Sequence, residues 1–302
     1  MTQYLNRKRD LRMLAVELAA ARRIGRKLQQ LLWRRMTHFE ADGFEFAIAY
    51  ALFVRAERTF SSIRTLARLS NVDDSFALVR VMVEKIVNAE YILLTGTETA
   101  LDYVQFLAFR EWRDLQVVTP EIAPKYTPDV LRRLRDAHDQ AKTKTLPDGS
   151  QKNRYGRGND WIEMGLSKRA EAVDELLKKK FAARTFKSTR MLYDATYHKS
   201  ASYLHGMWAS LGRSFESEGR DDDASEPEDG MVTMSVGIRL RDKNPRVAVE
   251  ALKAANLAAL SVLLFMGRVF KKKEYLDWVS DFKSTYQEER RRVGSLSSPD
   301  EP

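Results

Sequence analysis

The chain has 302 residues, of which 44% are hydrophobic and 31% charged, so it can bury a sizeable core in one large domain or two small ones. It contains no cysteine, which excludes disulfides, thiolate metal sites and cysteine nucleophiles. The formal net charge of +9 permits an RNA or DNA partner. Solvated helix faces and ends are the simpler explanation of the same charge.

The first half of the chain predicts five helices. Apolar residues recur at the period of an amphipathic helix, and glycine, proline and capping residues separate the periodic stretches. Thr127-Pro128-Asp129 is a helix start, because it supplies an N-cap, a proline at the first helical position and an acidic first turn. The predicted helices are residues 3–36, Phe44 to Leu69, Ser75 to Leu94, Ala100 to about Val118, and one that begins at Thr127 and fades at Lys144.

The second half predicts further helices separated by polar loops. The segment between Thr145 and Asp160 is rich in glycine but lacks a phosphate-binding motif, so we expect a loop. Residues 216–230 are acidic and unpatterned, and they lack the pattern of a calcium-binding loop. The other elements are a helix capped by Ser167 that runs to Phe181, a helix over Lys187 to Leu211, a strand or short hairpin over Met231 to Leu240, and helices over Pro245 to Val269 and Lys272 to Arg292.

The longest apolar run, Ala254 to Met266, predicts a core helix. Its roughly 13 residues fall short of the ~20 that cross a bilayer, and it contains Asn256. The basic amino terminus lacks the apolar core and cleavage site of a secretory signal. We therefore expect a soluble, cytoplasmic protein that does not enter a membrane.

Together these elements predict an all-α protein. We expect a single multi-helix bundle of about eight helices, with at most a short β-hairpin near residues 231–241. The predicted organisation is a basic N-terminal helix over residues 1–40, a helical bundle domain over 41–293 and a disordered tail over 294–302.

The third helix carries a polar line through an otherwise apolar sequence. Arg80, Glu84 and Asn88 follow one another at four-residue spacing, among residues that are apolar nearly all round the helix. Because such a line cannot face water throughout, it predicts either a buried structural network or a polar cavity.

The helix over Lys187 to Leu211 carries two of the four histidines. At helical spacing, one stripe contains Arg190, Asp194 and Tyr197. A neighbouring line contains Asp194, His198, Ser202 and His205. Titratable groups beside the buried edge of a helix are open to pKa tuning by partial burial and by a nearby charge.

His205 is the candidate general acid or base, because its ordinary pKa near ~6.5 suits proton transfer at neutral pH. In RNA cleavage, Arg80 or Arg190 would stabilise the charged phosphorane. A histidine hydrogen-bonded at a helix contact is the alternative, and His198 has the same two interpretations. Tyr193 and Tyr197 are core aromatics or base-stacking residues. The sequence predicts no metal site and no cofactor, because no HExxH motif or carboxylate cluster completes a ligand set.

Roughly residues 40–215 resemble a bacterial family of uncharacterised all-helical proteins, which carry an arginine–glutamate helix, a tryptophan-led segment and a tyrosine–serine–histidine–glycine helix. The matching positions are Leu78, Arg80, Glu84, Tyr91, Trp161, Tyr193, Tyr197, His205 and Gly206. The family is distantly similar to HEPN domains, many of which are metal-independent ribonucleases whose arginine and histidine lie on a helix that faces a dimer partner. Four to six residues separate that arginine from the histidine in HEPN domains, whereas seven residues separate Arg190 from His198 here.

Two functional hypotheses follow. In the first, the protein is a HEPN-like helical effector that cleaves RNA without metal, in bacterial anti-phage defence or a stress response; this resemblance implies a homodimer and a partner protein of a defence system. In the second, it is a non-enzymatic module that binds a nucleotide, nucleic acid or protein through the same helices and the basic faces. A third, purely structural role for the polar line also stays open.

Overall fold

The computed structural model describes residues 2–36, 43–69, 72–117, 126–141, 144–145, 151–152, 161–162, 164–181, 188–204, 215–217, 236–238 and 245–295. Within these ranges the protein is all-α, as predicted, with nine helices. They are α1 (Thr2–Met36), α2 (Phe44–Arg68), α3 (Val72–Thr95), α4 (Thr97–Leu115), α5 (Pro128–Ala141), α6 (Leu166–Phe181), α7 (Ser188–Leu204), α8 (Pro245–Val269) and α9 (Lys273–Ser295).

Two short antiparallel strand pairs accompany the helices. Strand β3 (Phe215–Ser217) pairs with β4 (Val236–Ile238), which lies in the region predicted as a hairpin. Strand β1 (Lys144–Thr145) pairs with β2 (Gln151–Lys152), where the sequence predicted only a loop.

The helix boundaries follow local signals. The Thr127 hydroxyl accepts a hydrogen bond from the Val130 amide at 3.4 Å, so the predicted cap of α5 is present. Gly96 ends α3 as predicted, and its φ of 95° is a conformation that glycine adopts most readily. The predicted cap of α6 is wrong: the Arg169 amide donates to the Gly165 carbonyl at 3.0 Å, so the helix starts before Ser167.

The chain forms two compact units. Unit 1 contains Met1–Thr37, Phe53–Ile86 and Ser188–Pro302, and unit 2 contains His38–Leu52 and Val87–Lys187. Helices α2 and α3 contribute residues to both units, because the divisions fall inside these helices.

Helix α8 forms the core of unit 1, where α1, α7 and α9 pack against it. Its Phe265 ring lies 6.0 Å from the Phe53 ring of α2. Among the described residues, α8 is the one helix long and apolar enough to cross a membrane, but 72% of its most apolar window is buried inside the protein. Such burial is typical of a core helix.

Unit 2 is built on α4 and α5, which pack against each other. The His138 ring of α5 stacks on the Phe109 ring of α4, with centroids 4.9 Å apart. Trp161 is buried in the core of this unit and contacts the Tyr103 ring edge-on, with centroids 5.1 Å apart.

Candidate functional site

Helices α3 and α7 meet within unit 1 through an arginine and a tyrosine. The guanidinium carbon of Arg80 lies 4.7 Å from the centroid of the Tyr197 ring. Both residues are partly buried. A cation over an aromatic face is attracted by the ring quadrupole, typically by about 0.5–2 kcal/mol. The structure therefore brings together two of the residues that the sequence placed on separate helices.

Tyr193 extends this contact along α7. Its ring stacks on that of Tyr197, with centroids 4.7 Å apart and an angle of 20° between the planes. Tyr193 is buried, and this burial raises the pKa of its hydroxyl, with a further contribution from Tyr197. The Tyr193 hydroxyl thus stays protonated at neutral pH and does not act as a base there.

Arg190 is tied to a carboxylate one turn away on the same helix. Its Nε lies 3.0 Å from Oδ1 and 2.9 Å from Oδ2 of Asp194. The two side chains are 38% and 48% exposed, so the ion pair contributes little to stability, about 0.3–0.5 kcal/mol. Part of the positive charge of Arg190 is therefore already balanced by Asp194.

The packing of α7 explains this arrangement. Its buried residues follow helical spacing and are Thr189, Leu192, Tyr193 and Thr196. The Thr196 hydroxyl donates to the Leu192 carbonyl at 2.5 Å, which satisfies a polar group on the face that packs against α8. Asp194 is exposed, so the predicted titratable line begins beside the buried face rather than within it.

The structure describes the remaining candidate residues on and after this helix only in part. His198 and Ser202 belong to α7 by their backbone, and their side chains lie outside the described residues. His205 follows Leu204, the last residue of α7, and also lies outside them.

The three residues of the polar line on α3, Arg80, Glu84 and Asn88, lie in different environments. Glu84 is exposed, whereas Asn88 is buried. In unit 2, the Asn88 Oδ1 accepts a hydrogen bond from Nη1 of the buried Arg169 at 2.7 Å. The Arg169 guanidinium also lies 5.3 Å from the Trp161 ring centroid. Asn88 thus belongs to a buried network with Arg169, and the structure does not place it with Tyr197.

A second buried polar cluster, in unit 1, was not predicted as a candidate site. Glu17 of α1 is fully buried, and its Oε2 accepts hydrogen bonds from the Tyr286 hydroxyl at 2.5 Å and from Asn256 Nδ2 at 3.0 Å. Arg290 Nε lies 3.6 Å from Glu17 Oε1. Burial raises the pKa of Glu17, although the bonds from Tyr286 and Asn256 and the charge of Arg290 act in the opposite direction.

The sequence did carry a signal for this cluster. Glu17 is the single acidic residue in the stretch MLAVELAAARRIG, and Asn256 is the single amide in an apolar run. The buried residues Ala20, Ala21 and Ile24 follow Glu17 at helical spacing, so its place on the apolar face could be recognised.

No group of three or more His, Cys, Asp or Glu side chains within the described ranges is arranged to hold a metal ion. The described groups of the α3–α7 contact supply a guanidinium, two stacked rings and an exposed ion pair. These are groups that bind anions and flat rings.

The chain was also compared with known proteins. No curated protein and no solved structure matches it. A family model matches residues 46–223, a stretch that includes both Arg80 and Tyr197. Because this match covers more than half of the chain, the protein belongs to DUF5677, a family of unknown function.

Proposed function

We propose that this protein binds RNA at the α3–α7 contact and cleaves it without a metal ion, as an effector in bacterial anti-phage defence or a stress response. The observation that supports the proposal is the Arg80 guanidinium over the Tyr197 ring, on the helix that leads to His205. The HEPN resemblance supplies the expected chemistry.

The geometry of a stacked guanidinium suits a phosphate ligand. The ring of Tyr197 occupies one face of Arg80, whereas the N–H donors of a guanidinium point outward in its plane. Donors in that plane match the oxygens of a phosphate group in a bidentate arrangement. His205 would then remove the proton of the attacking 2′-hydroxyl or protonate the leaving oxygen, while Arg80 stabilises the phosphorane charge.

The alternative is a non-enzymatic module that binds a nucleotide, nucleic acid or protein through the same helices. One observation favours it. The described side chains of the contact offer binding groups, but Tyr193 is held protonated by burial and Arg190 is held by Asp194. Neither Tyr193 nor Arg190 therefore acts as a general base at neutral pH.

An RNA-degradation assay in EDTA tests the proposal, with wild type compared with His205→Ala and Arg80→Ala. Circular dichroism checks that each variant is folded. The matched control is Arg133→Ala, which removes an exposed arginine from α5 in unit 2. We expect cleavage by wild type and by the control, and its loss in both site variants.

Absence of cleavage, together with RNA binding that Arg80→Ala weakens, would move the assignment to the binding module. If the protein neither cleaves nor binds tRNA, mRNA or single-stranded RNA, both RNA cleavage and RNA binding at this contact are overturned.

A further inference from the structure

A glycine in the interior of α1 makes room for an arginine of α2. Gly25 lies in the middle of a 35-residue helix, where glycine is less favourable than alanine. A Cβ atom at this position would lie 2.7 Å from Nη1 of Arg64 and 3.5 Å from a Phe60 ring atom. The guanidinium of Arg64 therefore sits where any other side chain at residue 25 would reach.

Arg64 is a partly buried arginine of α2. Its side chain makes no hydrogen bond or ion pair within the described part of the chain. Burial lowers the pKa of Arg64, Glu57 raises it, and the positive charges of Arg22 and Arg68 lower it again. Arg64 thus lies in the field of two further guanidinium groups.

The carboxylate that acts on Arg64, that of Glu57, is already engaged in a hydrogen bond. Glu57 Oε1 accepts a hydrogen bond from Gln29 Nε2 at 2.7 Å. Arg22 and Arg68 are both exposed, so the outer side of the cluster is open to solvent. Arg68 follows Arg64 by one turn of α2, and Arg22 precedes Gly25 by one turn of α1. Two positive groups and one carboxylate therefore act on the Arg64 guanidinium, and an anion would relieve this excess of positive charge.

We propose that Arg22, Arg64 and Arg68 form a binding site for a phosphate group in the backbone of RNA. This inference rests on the proposed function and adds a second contact to it. Guanidinium groups bind phosphate oxygens through paired N–H donors, which makes arginine better suited than lysine to such a site. The cluster lies in unit 1, as does the Arg80–Tyr197 contact.

Gly25→Ala provides a test that changes no charge. The added methyl group displaces the Arg64 guanidinium, and the flexible arginine can move without disturbing the helix contact. Because alanine is the better helix former, we expect an equal or higher Tm. RNA affinity, measured by fluorescence anisotropy on full-length protein, should fall about tenfold, as for loss of one hydrogen bond to a charged group.

A charge-removing variant measures the number of phosphate contacts. Arg22→Gln, Arg64→Gln and Arg68→Gln together should reduce the magnitude of the slope of log K against log salt concentration by about 0.7, since the cluster binds one phosphate and each phosphate contact on a single strand contributes about 0.7. The matched control replaces the exposed α5 residues Arg132, Arg133 and Arg135 with glutamine, which is the same change of charge in unit 2. This control should keep the wild-type slope.

The outcomes separate the two proposals. Wild-type affinity in both Gly25→Ala and the triple variant, with RNA still bound or cleaved, would overturn the cluster and leave the proposed function standing. A wild-type protein that neither binds nor cleaves RNA would overturn both. Weakened RNA binding in both cluster variants, with the α5 control unchanged, would support the cluster.

Discussion

The two arginines considered for the site differ in what they touch. Arg80 lies against the Tyr197 ring, whereas Arg190 is held by Asp194 on its own helix. A ring and a carboxylate engage a guanidinium differently, since the ring contacts its face and the carboxylate binds its in-plane donors. The sequence did not distinguish these two surroundings.

The ring of Tyr197 should matter more than its hydroxyl. Tyr197→Phe keeps the aromatic face under Arg80, so we expect RNA affinity within about twofold of wild type. Tyr197→Ala removes the face and should weaken binding about tenfold, corresponding to roughly 1.4 kcal/mol of lost cation–π energy and ordering. Fluorescence anisotropy with folded variants measures both. Equal affinity of the alanine and phenylalanine variants would contradict a role for the Arg80–Tyr197 contact.

Asn88 should contribute to the stability of the folded protein. Asn88→Ala removes a buried hydrogen bond to the charged Arg169, so we expect the free energy of unfolding to fall by about 1.5–3 kcal/mol. Glu84→Ala changes an exposed residue one turn earlier on the same helix and should stay within about 0.5 kcal/mol. Urea denaturation followed by circular dichroism compares the two. If Asn88→Ala lowers the free energy of unfolding as little as Glu84→Ala does, the hydrogen bond between Asn88 and Arg169 does not stabilise the fold.

At the scale of the helices, unit 1 contains a polar cluster inside an apolar interface. Helices α1, α8 and α9 contribute Glu17, Asn256 and Tyr286, and Oε2 of the carboxylate accepts hydrogen bonds from donors on both partner helices. A buried carboxylate costs free energy unless it is paired and hydrogen-bonded. The cluster therefore favours one register among these helices, since sliding any of them would leave the charge unpaired.

The pH dependence of stability should report on Glu17. Burial raises its pKa in the folded protein above the ordinary value of 4.5. Between 4.5 and that raised pKa the folded state holds a proton that the unfolded chain has lost, so stability falls as pH rises through this window. Above the raised pKa the loss is complete.

Glu17→Gln removes this titration and keeps a hydrogen-bond acceptor. The difference in unfolding free energy, wild type minus variant, should therefore decrease from pH 4.5 upward and then become constant. Urea denaturation at a series of pH values measures this difference, and the other carboxylates cancel because both proteins contain them. Parallel curves would show that the folded and unfolded proteins bind a proton at this position equally.

At the scale of the whole molecule, helix α8 could by its sequence be either a membrane span or the core helix of a bundle. Its length and apolar composition would suffice for a membrane span, but in unit 1 it packs against α1, α7 and α9. Burial of an apolar helix against other helices removes the same surface from water that a bilayer would. The packing thus supports the core-helix interpretation.

We expect the full-length protein to remain in the supernatant when it is sedimented with vesicles of a neutral phosphatidylcholine. Because α8 is buried, it offers little apolar surface to the bilayer. The control is the same measurement in about 1 M salt, which screens charge attraction and should leave the result unchanged. Cosedimentation that persists at high salt would contradict the expectation.

The sequence by itself determined the helices and the all-α class, because these depend on spacing within about 30 residues. The apolar period placed α8 over Pro245–Val269, and Thr127 and Gly96 marked a helix start and a helix end. The candidate site could be predicted only as two faces on two helices. Nothing in the spacing of α3 or α7 distinguished Arg80 from Arg190.

The tertiary structure decided which of these faces meet. Glu17 and Asn256 are 239 residues apart in sequence, and Arg64 reaches Gly25 from a different helix. Helical periodicity specifies which side of a helix is buried, but not which helix covers it or in what register. Those choices depend on how side chains of distant segments fit together, and local sequence patterns do not encode that fit.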